Sequence, residues 1–174
     1  MDEIKGKGFY LGDDIDTDQI LPGYAMSYPP EDLKKVALKG SEITDFAEKV
    51  EDGDIIFAKD NFGCGSSREQ APLALKSTGI GAVVAKSFAR IFRKNAINIG
   101  LPVITSKDLD KIIKESEEND KFKLNIKEGL IINIRTKKEY FAEKLADTTY
   151  ETLEAGGLIN KVRKILINRG EINE

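Results

Sequence analysis

A chain of 174 residues, 40% of them apolar, suffices for one ordinary hydrophobic core, and a single domain over residues 1–174 is expected. A charged fraction of 33% at a net charge of −3 leaves no basic stripe to neutralise a phosphate backbone, which argues against nucleic acid as a partner. No apolar run reaches the length of a membrane span and the start Met1-Asp2-Glu3-Ile4-Lys5 lacks an apolar leader, so a cytoplasmic protein with no membrane partner is expected.

One cysteine, Cys64, and no histidine narrow the chemistry further. A self-contained zinc site, a Ser-His-Asp triad, a Cys-His pair and an iron–sulfur cluster all need ligands or bases that this chain lacks. No metal site is expected within it, and any such group has to come from a partner.

In chain order, Gly6 to Gly12 reads as a short strand, followed by the acidic turn Asp13-Asp14-Ile15-Asp16-Thr17-Asp18. The spacing lacks the glycine and distal glutamate of a calcium loop, so these carboxylates are expected to cap turns and backbone N–H groups. Gln19 to Pro30, with prolines, Gly23, Tyr24, Met26 and Tyr28, reads as a mobile loop that either packs or lines a pocket. Glu31 to Val50 carries a helical pattern with Leu33, Val36 and Ala37 on one face, divided into two short helices at Gly40-Ser41.

Asp54 to Ala58 reads as a strand that runs into the glycine-rich turn Asp60-Asn61-Phe62-Gly63-Cys64-Gly65-Ser66-Ser67-Arg68-Glu69. A helix with Ala71, Leu73, Ala74 and Leu75 on its buried face follows, ending near Gly79. Gly81 to Ala85 is a fully apolar strand of the buried parallel type. Ser87 is read as opening a helix through Phe88, Ile91, Phe92, Ala96 and Ile99 that stops at Gly100. Leu101 to Ile104 is a further strand and Ser106 caps a helix to about Ser116. This repetition predicts an α/β fold whose right-handed parallel crossovers bring the turns at 60–68 and 85–87 to one edge. Thereafter Lys121–Ile126, Leu130–Arg135 and Tyr140–Leu145 read as short antiparallel ribbons, and 150–169 as helix interrupted at Gly156-Gly157. The Lys and Glu density from 107 to 139 is read as solvated surface.

Generic readings of the glycine-rich turn fail on its letters. A dinucleotide fingerprint needs glycine where Arg68 stands, a phosphate loop needs Gly-Lys-Ser/Thr, and a nucleophile elbow needs a histidine. Ser66 and Glu69 have the spacing of a capping box, which is one account of that pair. Capping leaves Ser67, the two glycines and an arginine in a first helical turn unexplained, because the helix dipole disfavours a cation there. A bound small carboxylate reverses that penalty, and the same surroundings favour the deprotonated form of a serine hydroxyl, a base that needs no histidine.

Asn61 to Glu69, together with Ala85-Lys86-Ser87-Phe88-Ala89-Arg90-Ile91-Phe92 and Asn95, closely resembles the swivelling domain of the aconitase superfamily. Gly12-Asp13-Asp14-Ile15-Asp16-Thr17-Asp18-Gln19-Ile20-Leu21-Pro22 and Glu154-Ala155-Gly156-Gly157-Leu158 are similar to the stand-alone small subunits of isopropylmalate dehydratases. The resemblance spans most of the chain. It implies a swivelling β/β/α domain, with parallel central strands, helices and short antiparallel ribbons, that closes over a large subunit carrying a [4Fe–4S] cluster. The reaction implied is dehydration of a small 2-hydroxy dicarboxylate and rehydration with the hydroxyl moved to the adjacent carbon, in leucine biosynthesis. By position in the motif, Ser66 becomes the base, Ser67, Arg68 and the Gly65 backbone hold a carboxylate, and Cys64 is no cluster ligand.

The same resemblance makes Gly23-Tyr24-Ala25-Met26-Ser27-Tyr28 the substrate-selecting loop. With no arginine in it, an extra substrate carboxylate has no partner, and an uncharged branched substituent such as isopropyl fits better. Small subunits of homoaconitase or dimethylmalate dehydratase are the related alternatives. A non-catalytic carboxylate-binding module is the alternative from a different class.

Overall fold

The apolar runs read as buried strands lie in the parallel half of one seven-stranded mixed sheet in the computed structural model, which describes residues 3–174. Met1 and Asp2, read above as part of a start without an apolar leader, lie outside the described residues. The elements are β1 (Glu3–Tyr10), α1 (Thr17–Ile20), a 3-10 turn over Gly23–Ser27, α2 (Pro30–Leu33), a second 3-10 turn over Lys34–Val36, α3 (Phe46–Lys49), β2 (Ile55–Ala58), α4 (Gln70–Ser77), β3 (Ala82–Ala85), α5 (Arg90–Asn98), β4 (Val103–Thr105), α6 (Leu109–Glu115), β5 (Lys121–Asn125), β6 (Leu130–Asn133), β7 (Glu139–Phe141), α7 (Asp147–Glu154) and α8 (Leu158–Asn168).

The strand order is β4-β3-β2-β1-β5-β6-β7. The β1–β2, β2–β3 and β3–β4 pairs are parallel, and the remaining three are antiparallel. Strands β2 and β3 are apolar throughout because both their faces are covered. Ile56, Ala58, Val83, Ala85 and Val103 pack under α4, α5 and the short helices on one face. Ile55, Phe57, Ala82, Val84 and Ile104 pack on the other with Leu109 and Ile112 of α6 and with Phe122, Leu124, Ile131 and Tyr140 of the antiparallel strands. The sheet is therefore a half-barrel that curls around this second core.

Gly8 in β1 permits the curl. A Cβ there would sit 2.8 Å from Phe122 and 3.1 Å from Phe57, whose rings approach to 4.6 Å between centroids over the bare backbone. Burial of two such rings contributes about 1.5–3 kcal/mol each.

Three local expectations change. Residues 23–27 are not a mobile loop but a 3-10 turn anchored by Ala25, which is fully buried, while Tyr24, Met26 and Tyr28 stay exposed. Ser87 does not open a helix, since α5 begins at Arg90 after extended Ala89, and the Ser87 hydroxyl is spent on the neighbouring turn instead. The polar tract 107–139 is more than solvated surface. Buried Asp120 accepts hydrogen bonds from Arg135 Nε (2.6 Å), Asn133 Nδ2 and the Glu117 backbone, tying the ends of β5 and β6 together.

Candidate active site

Parallel pairing of Ala58 with Ala85 brings the turns that follow β2 and β3 to one sheet edge, as the crossover pattern predicts. They are stitched together there. Phe62 N donates to Ser87 O (3.1 Å), Ala89 N to Phe62 O (2.9 Å) and Asn61 N to Ser87 Oγ (2.8 Å). The acidic turn between β1 and α1 zips onto the same segment through Asp14 N to Asp60 O (2.9 Å), Gly63 N to Ile15 O (2.7 Å) and Thr17 N to Cys64 O (2.9 Å). Its carboxylates do what their turn chemistry predicts: Asp13 accepts from Asp60 N, Asp14 from the Asn61 side chain, and Asp16 caps α1 in a capping box with Gln19.

Two glycines let this layering close. Gly63 has φ +82° and a Cβ on it would fall 2.2 Å from Phe92 Cγ, inside the ring cluster of Phe62, Phe88 and Phe92. Gly65 has φ +97°, and its nearest neighbour is Thr17 Oγ1, which a Cβ would meet at 3.4 Å. The chain then emerges at the surface as Ser66 and Ser67 with both residues exposed.

Ser66 does not cap α4. The helix starts at Gln70, its N-cap Glu69 makes no side-chain cap bond, and the Ser66–Glu69 capping box predicted by spacing is absent. The chain turns once more before the helix, with Arg68 N donating to Ser66 O (2.9 Å). Arg68 accordingly lies just ahead of the helix rather than in its first turn, and its charge at that end is offset by Asp18. The Ser66 hydroxyl instead meets Thr17 Oγ1 at 3.1 Å. The backbone N–H groups of Gly65, Ser66 and Ser67 have no protein acceptor among the described residues.

Gly65, Ser66, Ser67 and Arg68 all line one cleft of about 480 Å³, whose far wall is α5 with Arg90, Ile91, Lys94 and Asn95. Arg68 is mostly buried. Its Nη1 donates to Leu21 O (3.2 Å) and pairs with the Asp18 carboxylate, which ties the guanidinium to the chain entering the 23–27 turn. A Cβ on Gly23 would lie 3.8 Å from Arg68 Nη2, so the predicted selecting loop begins at the arginine, whereas Tyr24, Ala25, Met26, Ser27 and Tyr28 do not line the cleft itself. Burial, reinforced by Asp14 and Asp16, pushes the Cys64 thiol up, which keeps it a neutral thiol at ordinary pH.

Sequence reasoning missed Thr17 as a site residue. The capping reading of the acidic turn covers its carboxylates alone and gives the Thr17 hydroxyl no role, although its place inside the Asp-Ile-Asp-Thr-Asp run was the available signal. Arg90 and Lys94 fall at positions i and i+4 of α5, a spacing that marks a shared side, and Asn95 lines the cleft beside them.

The half-barrel and the glycine-rich turn define a class: residues 24–109 match the aconitase C-terminal domain. Over 164 residues, 94% of each chain, the protein is 46% identical to the 3-isopropylmalate dehydratase small subunit 1 of Methanopyrus kandleri. It is 45% identical over 162 residues, 92% of this chain and 94% of the relative, to the isopropylmalate/citramalate isomerase small subunit of Methanocaldococcus jannaschii. The crystal structure of 3-isopropylmalate dehydratase from Methanocaldococcus jannaschii superimposes with a TM-score of 0.88 at 39% identity, covering 97% of this chain and 98% of that one. The chain belongs to the family of 3-isopropylmalate dehydratase small subunits, hydro-lyase components of the aconitase superfamily.

Proposed function

We propose that this chain, in the cytoplasm and paired with a large subunit, isomerises 2-isopropylmalate and 3-isopropylmalate by dehydration and rehydration in leucine biosynthesis, with Ser66 as the base. The observation that carries this reading is that Gly65, Ser66, Ser67 and Arg68 line one cleft. A dicarboxylate placed there meets the Arg68 fork, the Ser67 hydroxyl and the Gly65 N–H, charge-assisted donors that suit a planar carboxylate. Ser66 Oγ, deprotonated, takes the carbon-bound proton next to that carboxylate, the electron pair forms the double bond, and the hydroxyl leaves the adjacent carbon as hydroxide, for which the large subunit's cluster would supply the Lewis acid. Rehydration runs the same steps backwards with the hydroxyl delivered to the other carbon, and Ser66 returns its proton.

This chain's donors do not fit an iron–sulfur cluster. Cys64 is its single cysteine, it has no histidine, and among the described residues no three His, Cys, Asp or Glu side chains gather as metal ligands. We assign the [4Fe–4S] cluster to the large subunit and give this chain the proton and carboxylate chemistry. In the turn that begins beside Arg68, Tyr24, Met26 and Tyr28 are exposed and no cation lies between Gly23 and Tyr28, which favours an uncharged branch on the substrate. No described helix is long and apolar enough to cross a membrane.

The test is reconstitution with the large subunit under anaerobic conditions and assay against isopropylmalate, citramalate, homocitrate and dimethylmalate. Isopropylmalate turnover that falls by about 10²–10⁴ in Ser66→Ala with the fold intact is the expected result. Near-normal turnover of that variant removes Ser66 as the base, and turnover of homocitrate in place of isopropylmalate overturns the substrate.

A further inference from the structure

We propose that Thr17 is the positioning residue of the base: its hydroxyl donates to Ser66 Oγ and holds the deprotonated serine in place for proton abstraction. The inference rests on the reading of Ser66 as the base and goes beyond it by naming what activates a serine in a protein without histidine.

The geometry carries it. Thr17 Oγ1 lies 3.1 Å from Ser66 Oγ, and among the described residues it has no other hydrogen-bond partner. Thr17 and Ser66 both line the cleft, but Thr17 is only 3% exposed, so water does not compete freely for its hydroxyl. The position of Thr17 is set by backbone alone. It is the first residue of α1, behind the Asp16 cap, and its N–H donates to Cys64 O two residues before Ser66. Gly65 borders the pair, where a Cβ would meet Thr17 Oγ1 at an ordinary 3.4 Å.

A neutral pair of hydroxyls shares one hydrogen bond in either sense. Once Ser66 has lost its proton to solvent, only Thr17 can donate, and the bond becomes charge-assisted. A donor fixed before the reaction costs no reorganisation during it. When Ser66 Oγ takes the substrate's carbon-bound proton it becomes a hydroxyl again, and the Thr17 proton stays on Thr17 throughout.

Thr17→Val keeps the shape and removes the donor, and Thr17→Ser keeps the donor. In the enzyme reconstituted with its large subunit, Thr17→Val is expected to lower kcat about 10- to 100-fold with KM nearly unchanged. Its kcat–pH profile should shift to higher pH, because the deprotonated serine has lost a donor, and Thr17→Ser should recover most of kcat and the original profile. In a Ser66→Ala background, Thr17→Val should cost nothing further, and Thr17→Ala repeats the test if valine impairs folding. A wild-type kcat and pH profile in Thr17→Val while Ser66→Ala is inactive overturns the role of Thr17 and leaves the base standing. A fully additive loss in the double variant also overturns it. Near-normal turnover in Ser66→Ala overturns the base, and the role of Thr17 with it.

Discussion

Gly63→Ala probes how the site is held together, and its cost follows from two separate terms. The backbone at Gly63 has φ +82°, a conformation that costs an L-residue about 1–2 kcal/mol, partly offset by the stiffer unfolded chain. A methyl group there would also fall 2.2 Å from Phe92 Cγ and 2.5 Å from its Cβ. Phe92 cannot simply swing away, because it is 3% exposed and its ring sits edge-on to Phe62 at 5.3 Å. Forcing such a core apart costs about 1–3 kcal/mol, so the substitution should destabilise by about 2–4 kcal/mol. Gly65→Ala is the internal control: φ is similarly positive at +97°, yet the nearest atom to a new methyl is Thr17 Oγ1 at an ordinary 3.4 Å. It should cost the backbone term alone, about 1 kcal/mol. Denaturant unfolding of the subunit measures both, and thermal unfolding should separate the variants by several degrees, at about 2–4 °C per kcal/mol for a chain of this size. Equal losses for the two alanines, or a larger loss at Gly65, would refute the packing argument.

Two further predictions concern charge. Arg68→Lys keeps the cation and loses the fork, so kcat/KM of the reconstituted enzyme should fall about 10- to 100-fold, mainly through KM, and an unchanged KM would remove Arg68 from carboxylate binding. Asp120 is held well below the usual carboxylate range, chiefly by its hydrogen bond to Arg135, so its contribution to stability is present above about pH 4 and lost as the pH falls below that. Asp120→Asn should therefore destabilise the subunit at neutral pH by about 2–3 kcal/mol and flatten the acid limb of its stability curve; an unaltered curve from pH 7 to 2 would contradict the pairing.

Much of this protein was legible in its residues because the signals were local. Buried parallel strands show as apolar runs, since both their faces are covered, and Asp54 to Ala58 and Gly81 to Ala85 were read correctly on that ground. The acidic turn was legible as capping chemistry because an Asp side chain reaches only nearby N–H groups, and Asp16 does bond to Gln19 N. The glycine-rich turn stood out because glycine tolerates backbone that other residues do not, and the family followed from motifs spread along most of the chain.

Tertiary structure decided what depends on pairs distant in sequence. The Ser66–Glu69 spacing is compatible with a capping box, but the turn at Arg68 delays the helix, and the Ser66 hydroxyl meets Thr17, 49 residues away, instead. Ser87 was read as a helix start for the same reason, yet its hydroxyl is claimed by Asp60 and Asn61 across the sheet edge. The strand reading of Leu130–Arg135 gave Arg135 no partner, and the β5–β6 pairing sets it beside Asp120. A hydroxyl or a guanidinium forms its bond with whichever partner the fold brings within about 3 Å, and spacing along the chain carries no record of that choice.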